Sequence, residues 1–191
     1  MNKIWNFIWH EDSVASWLVN IVLAFILIKF IVYPGLGFLL STSFPIVAVV
    51  SSSMEHDGGF NDWWDANSAW YEDQEIGYED FKEYPFKTGF NKGDIMVLVG
   101  KKPEKIDLGD IIVFRSSRPD PIIHRVVNKW QEDGIYKFHT KGDNNPDSIK
   151  GAYLDETNIS EDNVLGVAVI RVPFLGYVKI WFVDLINLFR R

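Results

Sequence analysis

Three short polar segments stand at the edges of apolar runs, and each carries a residue type able to do chemistry. Ser51-Ser52-Ser53-Met54 directly follows the run Phe44–Val50. A serine at a strand end is held on a rigid element while its hydroxyl stays accessible, as a nucleophile requires. Serines also simply end strands, so this segment is ambiguous alone. His124 lies within Pro121-Ile-Ile-His-Arg-Val-Val127. A histidine among apolar neighbours is often a satisfied core residue, but imidazole is also the side chain best matched to accept a serine proton near neutral pH. Lys141-Gly-Asp-Asn-Asn-Pro-Asp147 has the composition of a tight turn. It also offers two carboxylates, Asp143 and Asp147, either of which can orient a histidine and stabilise its protonated form.

Other chemistries find little support. His10, His56 and His139 are scattered, without HExxH or paired spacing, so no metal site is indicated. The Asp143–Asp147 turn lacks the D-x-[DN]-x-[DN]-G pattern of a calcium loop. Cysteine is absent from the 191 residues, which excludes disulfides, thiolate metal ligation and a cysteine nucleophile. Lys+Arg 19 against Asp+Glu 26 gives a net charge of −7, which argues against nucleic acid as a partner.

The elements that must position these groups are short β-branched runs: Phe44–Val50, Ile95–Val99, Ile111–Phe114, Ile122–Val127, Ile135–Thr140 and Val164–Val172. Gly93-Asp94 and Gly109-Asp110 punctuate them. This spacing predicts a mainly β sandwich or barrel-like domain over residues 41–172 and no long amphipathic helix within it. Glu55 to Phe90 departs from the pattern. It holds ten acidic residues against Lys82 and Lys87, a net −8 that leaves the rest of the chain at +1. It also holds ten aromatic rings, too many for a disordered acidic linker, which predicts an insert packed by its own rings.

Both ends of the chain seek a membrane. Between Ser16 and Tyr33 only Asn20 and Lys29 interrupt the apolar run, which meets the roughly 17–25 residues of a spanning helix. Trp17 and Tyr33 bracket it as interfacial rings, and Pro34-Gly35 are expected to stop the helix. Residues 14–40 thus read as an uncleaved anchor with its exit, since no small-x-small site follows the apolar run. The segment 173–191, interrupted by Lys179, Asp184 and Asn187, reads equally as a second span or an interfacial helix.

In chain order, Ser-Met after an apolar strand, Gly-Asp-Ile, Gly-Asp-Ile-Ile-Val-Phe, Ile-Ile-His-Arg-Val-Val, Thr-Lys-Gly-Asp-Asn-Asn and Val-Leu-Gly-Val-Ala-Val-Ile-Arg-Val-Pro-Phe-Leu-Gly-Tyr resemble the type I signal peptidases. The resemblance runs from the anchor to Tyr177. It is to the archaeal and endoplasmic-reticulum branch, because a histidine stands where the bacterial branch has its general-base lysine. It implies Ser53 as nucleophile, His124 as general base, Asp147 or Asp143 as the acidic member, and Ser51 as support for the oxyanion beside the Ser53 N–H. It further implies a β-rich catalytic domain on the extracytoplasmic side of the cell membrane, or of the endoplasmic-reticulum membrane in a eukaryote. The implied reaction is cofactor-free removal of signal peptides after small residues. The implied partners are preprotein signal peptides, the bilayer and translocation machinery.

Departures from the family pattern are local. Ser52 and His56 replace a glycine and a proline of Ser-Gly-Ser-Met-Glu-Pro, Asp147 comes early for the second acid, and the 55–90 insert separates nucleophile from base. The rival reading is a membrane-anchored, non-catalytic β-domain that binds partners through the acidic, ring-rich insert.

Overall fold

The computed structural model describes residues 3–177. The C-terminal apolar segment therefore lies, from residue 178 onward, outside the described residues.

The chain begins with a helix not expected from its sequence, α1 (Lys3–His10), followed by α2 (Val14–Leu27). Ser13 caps α2, its hydroxyl accepting the Ser16 N–H at 3.2 Å. Ser16 Oγ donates to the Phe7 carbonyl at 2.6 Å and Asn20 Nδ2 to the Ile8 carbonyl at 2.9 Å. The polar residue inside the apolar run is thereby satisfied within the protein, which a lipid environment demands.

The helix does not stop at Pro34-Gly35 as expected. It passes through a wide π turn (Ile28–Val32) into α3 (Tyr33–Leu39). The Tyr33 N–H bonds the Ile28 carbonyl, five residues back. Pro34 then falls in the first turn of α3, directly after this wide turn, which accommodates the proline ring without ending the helix. The resulting run, Val14–Leu39, has a mean hydropathy of 2.3 and is long and apolar enough to span a membrane.

The soluble part is β-rich, as the punctuated apolar runs predict. Seven strands form one antiparallel sheet in the order β1 (Ile46–Ala48), β2 (Ile95–Val99), β9 (Val164–Val172), β3 (Ile111–Phe114), β4 (Ile122–Glu132), β5 (Ile135–Lys141) and β8 (Ile159–Ser160). A small ribbon pairs β6 (Lys150–Gly151) with β7 (Leu154–Asp155). Side chains alternate across the central strand β3, so both of its faces are buried. Ile111 and Val113 enter a cluster with Val49, Met54, Phe90 and Met96. Ile112 and Phe114 enter another with Val126, Phe138, Leu154 and Ile159.

The insert is helical: α4 (Phe60–Glu72) and α5 (Tyr78–Glu83). The expectation of no long helix in the middle of the chain thus fails here. Phe60, Trp63, Trp64, Trp70 and Tyr71 recur at helical spacing along α4, which turns one ring-bearing face inward. Trp63, Trp64, Tyr71, Ile76 and Phe81 close over Val127 of β4. Val127 reaches them because the β4–β5 register shifts between Val126 and Asn128, a bulge that re-aims one residue. The charges of the insert, including Asp62, Asp65, Glu72, Glu75 and Glu79, stay exposed.

Candidate active site

Ser53 sits in the turn after β1, and its position is fixed by the residues on either side. Met54 is buried in the sheet's core, with its carbonyl accepting the Phe90 N–H at 2.9 Å. The Ser53 carbonyl accepts the Asn144 N–H at 2.8 Å, and Asn144 Nδ2 reaches the Ser52 carbonyl at 3.2 Å. The Ser53 hydroxyl is left at the surface of the turn. There it lies 2.9 Å from His124 Nε2 and 3.1 Å from Ser51 Oγ.

His124 projects from β4, opposite Ile112 of β3, and is 4% exposed. Its Nδ1 meets Glu156 Oε1, a residue the sequence reading did not single out. Glu156 is fully buried. Its Oε1 also accepts from Thr140 Oγ1 at 3.0 Å, and its Oε2 accepts the Ile149 N–H at 2.7 Å. The carboxylate is thus aimed by two further donors, and it sets the imidazole with Nδ1 protonated and Nε2 free to accept. Gly142 packs against the opposite edge of the ring. A Cβ there would come within 2.8 Å of His124 Nε2.

The two carboxylates expected at the histidine are elsewhere. Asp143 is buried and forms a bidentate pair with Arg125, at 2.9 Å to Nε and 2.6 Å to Nη2. It also accepts from Tyr71 Oη at 3.0 Å and bonds His56 Nε2 at 2.9 Å. Burial alone would raise its pKa, but the Arg125 guanidinium and the His56 hydrogen bond hold it well below the usual carboxylate range. Asp143 is therefore a structural anion that locks its loop. Asp147 is exposed, accepting from Trp70 Nε1 at 2.8 Å and from the Ser148 N–H at 2.7 Å. Those bonds lower its pKa. Its early place in the turn carries it away from His124. Ser51 stands where expected, beside the Ser53 oxygen.

Of the remaining histidines, His10 is exposed on α1, and His139 bonds Ser148 Oγ at 2.8 Å. His56 stacks on Trp63 with ring centroids 3.8 Å apart. Among the described residues no group of three or more His, Cys, Asp or Glu side chains is arranged to hold a metal.

Lys141 is buried with its Nζ 5.0 Å from the Trp70 ring and 4.8 Å from the Tyr71 ring. The Nζ donates to the carbonyls of Gly142 and Asp143, each at 3.2 Å. Burial pulls its pKa from the ordinary 10.5 down to about 8, against the opposing pull of Asp143 and Glu156. Between those two values the unfolded chain holds a proton that the folded chain has released, so folding stability rises with pH across that window. Melting temperatures of wild type and Lys141→Met, taken from pH 7.5 to 10.5, should show the wild type gaining on the variant as pH rises. Parallel curves would contradict this protonation scheme.

Two adjoining cavities lie along β1, and the first of them opens at Ser53. One, of about 410 Å³, is lined by Ala48, Val50, Ser51, Ser53, Ile123 and His124, among others. The other, of about 320 Å³, shares Ala48, Val50 and Ile123, does not reach Ser53, and adds Tyr33, the first residue of α3. Successive side chains of an extended peptide point in opposite directions, so two neighbouring hollows that share Ala48 and Val50 suit residues two apart.

Glu156 escaped notice because it follows a two-residue strand in a stretch, Leu-Asp-Glu-Thr-Asn, with the composition of an ordinary turn. The one pointer to it was the expectation that the second acid should lie further beyond Gly-Asp-Asn-Asn than Asp147 does.

No protein-family model matches the chain. It is 30% identical over 152 residues to the signal peptidase complex catalytic subunit SEC11C of Homo sapiens, an alignment that takes in 78% of this chain and 62% of the relative. The same subunit of Canis lupus familiaris gives the same values. The chain is 28% identical over 169 residues to the signal peptidase complex catalytic subunit SEC11 of Colletotrichum graminicola, across 87% of this chain and 79% of the relative. The chain thus spans about three fifths, 62%, of the length of the first of these relatives.

Proposed function

We propose that this homologue of signal peptidase complex catalytic subunits is itself a membrane-anchored serine endopeptidase that removes signal peptides from exported preproteins. The observation that carries the reading is the relay Ser53 Oγ to His124 Nε2, 2.9 Å, with His124 Nδ1 on buried Glu156. A binding module has no use for a surface hydroxyl, an oriented imidazole and a buried carboxylate in line.

In this reading His124 takes the Ser53 proton as Oγ attacks the scissile carbonyl, and Glu156 stabilises the imidazolium that forms. The developing oxyanion is met by the Ser53 N–H and the Ser51 hydroxyl. The imidazolium then protonates the leaving amine. Water, deprotonated by the same Nε2, hydrolyses the acyl-enzyme and frees Ser53. The chemistry requires no metal or organic cofactor. Small residues at the cleavage site and two positions before it would occupy the paired cavities. Tyr33 in the lining supports a bond cut close to the membrane surface, with the β domain on the extracytoplasmic side. The preprotein, the bilayer and translocation machinery remain the partners of this reading.

The test is direct. Incubate the protein in detergent with a preprotein and sequence the new N-terminus. A cut after a small-x-small sequence is the expected result; an intact preprotein under conditions where the protein is folded overturns the reading.

A further inference from the structure

None of the residues lining the cavity at Ser53 or its neighbour comes from the 55–90 insert, yet the insert touches the site's supporting loop at four points. Three of them come from the last turn of α4. Trp70 Nε1 donates to Asp147 Oδ1 at 2.8 Å, and Tyr71 Oη donates to Asp143 Oδ1 at 3.0 Å. The two rings together enclose the Lys141 ammonium, at 5.0 and 4.8 Å. The fourth is His56 Nε2, 2.9 Å from Asp143 Oδ2 and backed by the Trp63 ring. The Pro85 and Phe86 carbonyls add a grip on Arg125, at 2.8 and 3.0 Å, while Arg125 holds Asp143.

The loop held in this way is the one that sets the reacting atoms. Asn144 N–H holds the Ser53 carbonyl at 2.8 Å, and Gly142 lies against His124 Nε2. A contact made by α4 at residues 141, 143 and 147 is therefore passed to Ser53 and His124 through residues 142 and 144.

From this connection we infer that α4 is a built-in clamp for the catalytic loop, with Trp70 and Tyr71 as positioning residues for the Ser53–His124 pair. The inference rests on the peptidase reading above. The clamp touches neither nucleophile nor substrate. Its loss lowers the population of correctly aligned Ser53, while of the cavity lining only Asn145 belongs to the held loop, so the effect falls mainly on kcat and little on KM. Misplacement of reacting groups by about 1 Å costs on the order of 10²-fold, and a loosened loop should fall short of that.

Tyr71→Phe keeps the ring and removes only the hydroxyl that holds Asp143. Trp70→Leu removes one wall of the lysine cage and the Asp147 donor from a half-buried position. Trp70→Phe restores a ring without the donor. Expected are kcat values reduced roughly 5- to 30-fold in the first two variants, a smaller loss in Trp70→Phe, and KM within about twofold of wild type. Hydrogen–deuterium exchange of the full chain supplies a readout independent of turnover: peptides covering 141–147 and 51–54 should exchange faster in Tyr71→Phe and Trp70→Leu. Wild-type exchange in those peptides, or losses confined to KM, overturns the clamp even if the enzyme cleaves preproteins. A wild type that processes no preprotein overturns the peptidase reading, and the exchange result then still decides whether α4 holds the loop.

Discussion

Ser53→Ala should reduce preprotein cleavage by roughly 10⁴- to 10⁶-fold while the protein melts at its normal temperature. Among the described residues the Ser53 hydroxyl has two hydrogen-bond partners, His124 and Ser51, at the surface of its turn. Its removal takes a partner from His124 Nε2, but both groups line an open cavity where water can replace the hydroxyl, so the fold should weaken little. The proposed chemistry, by contrast, loses the atom that would form the acyl-enzyme. His124→Ala should fall to the same floor, and the double variant should fall no further, because the two side chains act as one unit. The measurement is the rate of mature-protein formation at saturating preprotein. Activity within tenfold of wild type in either single variant would remove Ser53 and His124 from the mechanism.

Glu156→Gln is the second large effect, and it separates this structure from the assignment suggested by the Gly-Asp-Asn-Asn turn. The carboxylate accepts from three groups: His124, Thr140 and the Ile149 N–H. A glutamine cannot replace it in either orientation. With its oxygen toward His124, its NH₂ opposes the Ile149 N–H, donor against donor. With its NH₂ toward His124, the imidazole must carry its proton on Nε2 and can no longer accept from Ser53. A loss of about 10²- to 10⁴-fold in kcat is expected. Asp147→Asn, at an exposed carboxylate bonded to Trp70 and Ser148, should stay within a fewfold of wild type. A ranking with Asp147→Asn the more damaging would return the acid's role to Asp147.

How much of this was legible in the sequence depended on whether a signal was local. Strand runs such as Ile95–Val99, Ile111–Phe114 and Val164–Val172 match their strands residue for residue, because buried β-branched runs bounded by turns have few other uses. Ser53 and His124 were legible as candidates for the same reason: each sits at a fixed point of such a run. Glu156 was not, since its partnership with His124 spans 32 residues and is created by the folding of a short ribbon. The helix α4 was present in the spacing of Phe60, Trp63, Trp64, Trp70 and Tyr71, but a count of rings and charges does not register period. The extension of the apolar helix past Pro34 depended on a π turn, an accommodation no single residue type announces.

The place of β9 has a consequence for how the molecule comes into being. Although it is the last strand in sequence, β9 lies between β2 and β3, joined to both by hydrogen bonds. Without it the sheet is two separate pieces: β1 and β2, next to Ser53, and β3, β4, β5 and β8, bearing His124. A nascent chain that has emerged as far as Asn163 therefore carries every residue of the proposed relay on two strand groups that the sheet does not yet join. Closure waits for contacts distant in sequence, which form late because their loop entropy must be overcome first. In the proposed reading, the sheet brings the Ser53 and His124 halves of the relay together only once this final strand is seated as the keystone.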